Sequence, residues 1–492
     1  MTCRVAARER GGQHRDRSGR SALPPPPGFA TRLFFEHSDR CQAQSGNVLG
    51  CPMFLGARRF HPAEPTNSAG VELCLFAGKQ CGARASCGEM LTYFSFNESA
   101  GRRPRAVVAV PVRDEAERIG ACLVALERQE DRCGRRLEPG CFGVVLVLNN
   151  CADATDRIVR SLAPGLSYPL RLVEVELPAE SANAGTARAI AMDAAADWLD
   201  GAGRTDAVIL TTDADSVPPP GWIDANLAEI DRGADAVAGS PALDPIEAAD
   251  LPASLRRRAR LETLYERLLV EVAARLDPRP HDPWPNHWAA SGASLAVTLP
   301  AYRVIGGLPR VPCGEDQALI AALESRDARV RHPPGLSVIT SGRLDGRARG
   351  GVADTIRTRC HQPGAACDEK LEAVAAALVR YAMRGRLRAQ HAASTWDAAE
   401  WAVRLRLDVG TVAAAMRQPC FGAGWARIEA ASPLLTKVAL KPGQLPVQIV
   451  AAWCALSVLR APGSITSLAE RRADGATSAA GRRALRAAVQ TR

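Results

Sequence analysis

From residue 104 onward the chain alternates short apolar runs with amphipathic stretches. Residues 105–112 (RAVVAVPV), 143–148 (GVVLVL), 170–175 (LRLVEV) and 207–212 (AVILTT) have the length and β-branched content of strands buried on both faces. Between them, apolar spacing predicts helices over 115–127 (through Ile119, Leu123 and Leu126), over 155–162, and from Asn183 to about Trp198. Strands alternating with helices predict βαβ units and a parallel sheet covered by helices. Beyond residue 358 the pattern is helical. Leu371, Val374, Leu378 and Tyr381 share one face of a helix expected over 369–381. Ser394 and Asp397 are expected to cap a helix over 395–407, and 445–459 reads as a third. Residues 1–103 show neither period. They combine Arg-rich polar stretches, a proline run at 24–27 and scattered glycine, and read as a disordered extension. Organised sequence starts soon after Met90, which marks a candidate biological start. The expected organisation is therefore an extension (1–103), an α/β domain (104–358), a helical region (359–462) and a basic flexible tail (463–492).

Three of the predicted strands run straight into polar clusters. These are Arg113, Asp114 and Glu115; Asn149, Asn150 and Asp153; and Asp213 and Asp215, one residue apart in AVILTTDADS. In parallel α/β sheets, ligands bind beyond the carboxyl ends of the strands. Two closely spaced carboxylates there can share one hard divalent cation with substrate phosphates. Any single cluster is as well explained by a solvated turn, and Asp114 or Asp153 alone reads first as a capping residue. Three clusters at one sheet edge are better explained by one ligand lying across it. No G-x-G-x-x-G follows the first strand and no G-x-x-x-x-G-K-[ST] occurs, which argues against a dinucleotide cofactor and a P-loop.

Composition narrows this further. The chain has 492 residues, 47% of them apolar and 23% charged, as in ordinary soluble domains. Its net charge of +9 is spread along the sequence. Diffuse positive charge suits phosphorylated ligands or weak attraction to anionic lipid. With no finger spacing and no arginine block, nucleic acid is not an expected partner. The 15 cysteines form no framework: Cys74, Cys81 and Cys87 lack metal-site spacing, and Cys122, Cys133, Cys141 and Cys151 fall in or near predicted elements. Reduced thiols in a cytoplasmic protein are expected. The longest apolar candidate, 447–459, falls short of the ~18 residues that span a bilayer and is expected to be a buried helix. No secretory signal is evident, so any membrane contact is expected to be peripheral, at the inner face.

Taken in order, these motifs resemble the family-2 inverting glycosyltransferases of the GT-A fold, over roughly 104–358. Val110-Pro111-Val112-Arg113-Asp114-Glu115 is similar to that family's first-strand motif, with Asp114 where Asn is common. NNCADATD (149–156) resembles the second-strand segment, with Asn149 and Asn150 where an acidic residue usually holds the base. Asn183-x-Gly185 with the alanines after it is similar to the family's helix start, and Asp213-Ala214-Asp215 to its D-x-D motif. AASGASLAV (289–297), containing Gly292, resembles the acceptor strand; YRVIGGL (302–308) and Gly314-Glu315-Asp316 resemble the Gly-Gly turn and Glu-Asp motif that follow.

The resemblance implies a Rossmann-like, mostly parallel sheet with helices on both faces, followed here by a C-terminal helical region. It also implies a metal-dependent, inverting enzyme that moves one sugar from a nucleotide-sugar donor, a UDP-sugar first, to an acceptor hydroxyl on a glycan or lipid. Asp213 and Asp215 would hold Mg²⁺ or Mn²⁺, Asp316 would be the general base, and Glu315 would position the acceptor or Asp316. Pro111, Arg113, Asp114, Glu115, Asn149, Asn150, Asp153, Asn183, Gly185 and Asp213 fall on the donor side. Arg343 and Arg347, in the glycine-rich run 341–351 that also holds Arg349, read as phosphate ligands on a lid. His287, Trp288 and Gly292 fall on the acceptor side. Two rivals remain. A sugar-phosphate nucleotidyltransferase would show a glycine-rich first loop, and 112–117 has no glycine. A non-catalytic nucleotide-sugar-binding protein on this fold would need no base.

Overall fold

The computed structural model describes residues 91–97, 103–347 and 350–461. The expected disorder before residue 91 and the tail after 461 lie outside the described residues, as does Arg349. The strands are β1 (Leu91–Phe96), β2 (Ala106–Val112), β3 (Phe142–Asn149), β4 (Leu170–Val175), β5 (Val208–Thr211), β6 (Ser216–Val217), β7 (Ala236–Ala238), β8 (Ser240–Leu243), β9 (Leu295–Thr298), β10 (Val330–Arg331) and β11 (Ser337–Thr340). Eight of them form one sheet in the order β1-β4-β3-β2-β5-β9-β7-β10. The β2–β3, β3–β4, β2–β5 and β7–β10 pairs are parallel, while β9 runs antiparallel to both β5 and β7. A small second sheet joins β6, β11 and β8.

The continuous apolar runs do what their pattern predicts. Val107 and Ala109 enter one core with helix α3 (Ala184–Ala202), while Val108, Val110 and Val112 enter the other with α1 (Ile119–Glu127) and α2 (Thr155–Leu162). Both faces of the sheet are thus sealed by helices, and β2, β3 and β5 end at the same edge. α4 (Trp222–Asp231) joins the core covered by α1 and α2. α5 (Pro245–Asp250) and α6 (Ala253–Leu276) follow β8, and α7 (Leu299–Val304) and α8 (Glu315–Ser325) complete the core covered by α3.

β1 corrects the expected boundary at residue 104. It pairs antiparallel with β4 from Leu91↔Val175 to Phe96↔Leu170, with Phe94 and Phe96 against one core and Tyr93 against the other. Described strand structure therefore reaches into the stretch read as an extension, at least to residue 91. LTYFSF is six residues long and places Tyr93 and Phe94 side by side, so it shows no strict period of two.

The C-terminal helices are α9 (Val352–His361), α10 (Val374–Ala392), α11 (Ala398–Leu405), α12 (Val409–Met416), α13 (Phe421–Ala431) and α14 (Leu445–Arg460). α10 starts at Val374 rather than 369. Ala373 is extended, Leu371 exchanges backbone hydrogen bonds with Leu440 and Asp368, and Glu372 turns inward to pair with Arg380 at 2.7 Å. α11 is capped by Asp397, which accepts the Glu400 N–H, and not by Ser394, whose φ of 55° puts it outside the helix. α11, α12 and α13 share their own core around Trp401 and Trp425. α6, α10 and α14 share another, which Trp288 also packs against. α14 is only half the buried helix expected. Leu445, Ile449, Ala452 and Leu456 face the core, whereas Val447, Val450, Trp453 and Val458 are exposed. Counted from Pro442 the helical stretch reaches 19 residues, long and apolar enough to cross a membrane by length and composition, with 22% of it buried.

Candidate active site

The carboxyl ends of β2, β3 and β5 open into a cleft of about 1470 Å³, closed on its far sides by α6, the 284–292 segment and the 340–359 segment. The loops that carry the motifs are fixed by buried polar contacts. The Thr212 hydroxyl donates to Ala293 O (2.8 Å) and Trp222 Nε1 donates to Ser294 Oγ (2.9 Å), so the chain before β9 is tied to the start of the Asp213–Asp215 turn. Gly314, at φ 75°, turns the chain into α8 and places Glu315 and Asp316 in its first turn.

Arg188 joins these parts. It lies on α3 and is almost fully buried. Its guanidinium donates to Asp213 Oδ1 (2.5 Å), Thr211 Oγ1 (2.7 Å), Gly292 O (3.1 Å) and Glu315 Oε1 (3.1 Å). A Cβ on Gly292 would lie 2.2 Å from that guanidinium, so only glycine fits there. Burial opposes the guanidinium's charge, and the carboxylates of Asp213 and Glu315 more than restore it. Arg188 escaped the sequence reading because it stands among alanines in a helix. The available signal was that a cation on a face predicted to be buried requires carboxylate partners.

Asp316 lines the cleft beside this pair. Its Oδ2 accepts the Gly292 N–H (3.1 Å) and its Oδ1 the Gln317 N–H (2.7 Å). Burial, and then the neighbouring Glu315 charge, hold its pKa above the ordinary aspartate value against the pull of Arg188. Glu315 is more deeply buried and committed to Arg188.

At the end of β5, burial and the adjacent Asp213 push Asp215 up to about 7. Arg343 donates to both oxygens of Glu115, one contact at 2.7 Å, and stands 3.2 Å from Asp215 Oδ2. A guanidinium therefore already sits where a cation neutralises these acids. Asp215 and Glu115 face this guanidinium, while Asp213, one residue from Asp215, is bound to Arg188; the oxygens of Asp213 and Asp215 are hard donors of the kind a divalent cation takes. Arg347 Nε donates to Asp114 O (3.2 Å). Glu247, which the sequence reading did not flag, pins this segment by accepting from Arg118 (2.6 Å), Ser341 Oγ (3.1 Å) and Gly342 N. The Asn149 side chain is 1% exposed and its Oδ1 has no hydrogen-bond partner among the described residues, although the residue lines the cleft.

The structure brings together in this cleft Pro111, Arg113, Glu115, Asn149, Asp213, Asp215, His287, Trp288, Gly292, Glu315, Asp316, Arg343 and Arg347. Five residues expected on the donor side instead hold the frame and do not line it. Asp114 Oδ1 accepts the Ala152 N–H (2.7 Å), and Asp153 accepts from Ala116 N (3.0 Å) and Thr155 N (2.9 Å). Asn150 exchanges two hydrogen bonds with the Leu177 backbone, both at 3.0 Å. Asn183 caps α3 through the Thr186 N–H, and Gly185 lets α3 pass Val311 O, which a Cβ would approach to 2.5 Å. Arg113, though in the cleft, donates to Ala182 O (2.7 Å). On the acceptor side, the His287 ring is edge-on to His332, and burial holds its pKa down at about 4. Its Nδ1 accepts the Ala289 N–H (3.1 Å). Trp288 packs on Tyr381 at 5.8 Å, and its carbonyl accepts from Lys370 (3.1 Å). No disulfide joins two of the described cysteines.

A mostly parallel sheet covered on both faces, with an acid-lined cleft at its strand ends and a helical C-terminal region, is the architecture of the GT-A fold. Residues 107–273 match the family model "Glycosyl transferase family 2", and the chain carries a family-2 glycosyltransferase domain. That segment runs from β2 almost to the end of α6 and stops short of Glu315 and Asp316. Similar solved structures include Staphylococcus aureus TarS (residues 1–349) in complex with UDP-GlcNAc, at 14% identity and a TM-score of 0.37, covering 71% of this chain and 89% of that one. Another is the mannosyltransferase PcManGT of Pyrobaculum calidifontis in complex with GDP-Man and Mn²⁺, at 17% identity and a TM-score of 0.36, covering 76% of this chain and 81% of that one. No curated protein sequence matches the chain. The identification rests on the family match and the strand-end motifs, not on these distant likenesses.

Proposed function

We propose that the chain transfers one sugar from a nucleotide-sugar donor to an acceptor hydroxyl with inversion, in a single displacement assisted by Mg²⁺ or Mn²⁺. The observation that carries this is the buried Arg188, which binds the D-x-D acid Asp213 and the Glu-Asp acid Glu315 at once and so fixes the two half-sites in one frame. The donor's diphosphate falls to Asp213 and Asp215, which would hold the metal; bound there, a divalent cation neutralises the leaving diphosphate. Arg343 and Arg347 supply further positive charge on that side. The unpaired Asn149 Oδ1 is an acceptor for a nucleobase N–H, which keeps a uridine nucleotide as the first donor to try.

Asp316 acts as the base. Two backbone N–H groups orient its carboxylate, so it can take the acceptor hydroxyl's proton as the new glycosidic bond forms. Glu315 is a positioning residue, since its charge is spent on Arg188. His287, Trp288 and Gly292 are assigned to the acceptor side. A neutral His287 adds an unpaired Nε2 there.

The test is Asp316→Asn. General-base removal costs typically about 10²–10⁴-fold in rate, so kcat should fall by that much while stabilisation by donor and Mn²⁺ is retained. A base works only when deprotonated. Because its pKa is raised, the wild-type rate should be lost on acidification at a higher pH than an ordinary aspartate would give. Near-wild-type turnover by Asp316→Asn would remove the assignment.

A further inference from the structure

α6 carries its arginines in two different states. Arg258 and Arg275 are neutralised on the helix itself, by Glu262 and Glu271, both at 2.9 Å. Arg256, Arg260 and Arg267 are exposed, line the cleft, and have no carboxylate within ion-pair distance among the described residues. At 100° per residue these three and Thr263 fall within about 60° of one another, so they make one stripe along the helix. Eleven residues of rise spread the stripe over roughly 16 Å.

Of the acids near it, Glu262 is held by Arg258 and by Arg359 (3.0 Å), the half-buried Glu266 feels the charge of Lys370, and Asp368 accepts the Lys370 backbone N–H (2.8 Å). The donor's diphosphate is already provided for on the sheet side, by Asp213, Asp215, Arg343 and Arg347. Three unneutralised guanidiniums on a different wall of the same cleft offer a surface for a second anionic ligand.

We infer that the acceptor is an acidic glycan, with carboxylate or phosphate groups repeated along it, and that Arg256, Arg260 and Arg267 recognise those groups. The inference rests on the glycosyltransferase reading and names the acceptor class. A single anionic group would engage one guanidinium; a stripe of this length suits several charges in a row. Arginine's planar fork matches carboxylate and phosphate oxygens pairwise.

The test compares two triple variants of the full chain with equal loss of charge. One is Arg256→Gln/Arg260→Gln/Arg267→Gln. The other is Arg132→Gln/Arg135→Gln/Arg232→Gln, at arginines 74%, 78% and 66% exposed elsewhere on the surface. The probes are hexagalacturonate, neutral maltohexaose, and UDP with Mn²⁺. The wild type should bind hexagalacturonate more tightly than maltohexaose. The cleft triple should weaken hexagalacturonate by about tenfold, as three exposed charge contacts together are worth, and the surface triple should not. Both triples should keep the wild-type melting temperature and its rise with UDP and Mn²⁺. Equal weakening in both triples, or no preference over maltohexaose, would overturn the inference and leave the donor reading standing. Loss of the UDP response in the wild type would instead remove the reading beneath it. Retention by phosphatidylglycerol vesicles with no affinity for hexagalacturonate would overturn the inference in favour of a membrane surface.

Discussion

Arg188 is the residue on which the site's electrostatics turn. Removing one partner of a buried ionic cluster leaves the others charged and desolvated, which costs about 3–5 kcal/mol. Arg188→Met keeps the apolar stem and deletes the charge, so it should lower the urea midpoint by an amount in that range. A variant as stable as wild type at pH 8 would show that Arg188 is not the keystone. At this scale the sequence was half legible. Asp213, Asp215 and Asp316 could be read because their spacing to neighbouring motifs is local. Arg188 could not, because its partner Glu315 lies 127 positions away and nothing local marks the pair. Asp114, Asn150, Asp153 and Asn183 were legible as polar and read as donor ligands, whereas in the fold their side chains hold loop and helix-start backbone. Turn-forming side chains and ligand-binding ones look alike until the backbone shows where their hydrogen bonds go.

At the scale of elements, the buried strands were the clearest signal. Four apolar runs became β2, β3, β4 and β5 nearly as bounded, and α2 fell where its spacing placed it. Misses came where tertiary contacts outweigh local pattern, as at β1, at the start of α10 and at the cap of α11. Close helix contacts were also invisible. A Cβ on Gly385 of α10 would lie 2.1 Å from Leu276 O at the end of α6. Alanine is favoured over glycine inside a helix by about 1 kcal/mol. Overpacking against fixed backbone costs about 1–3 kcal/mol, so the clash should win. Gly385→Ala should therefore lower the melting temperature; a rise would mean that α6 and α10 can separate freely, against the shared core described here.

For the whole molecule, fold class and the order of motifs were readable because a family-2 domain must place its acids at strand ends, whatever its substrate. The far wall of the cleft was less readable, since it is built from α6, the 284–292 segment and residues beyond 350, which come together only in the fold. The account's central claim is that this cleft binds a nucleotide sugar through Asp213 and Asp215 with a divalent cation. The most direct measurement is the melting temperature of the full chain against a panel of nucleotide sugars, with Mn²⁺ and with EDTA, in wild type and in Asp215→Ala. A ligand that binds only the folded state at 100 times its Kd stabilises it by about 2.7 kcal/mol, a shift of several degrees at most for a chain of this size. The account predicts such a shift for one nucleotide sugar, uridine nucleotides first, present with Mn²⁺ and lost both with EDTA and in Asp215→Ala. A shift that is the same in EDTA, or that survives Asp215→Ala unchanged, would contradict it.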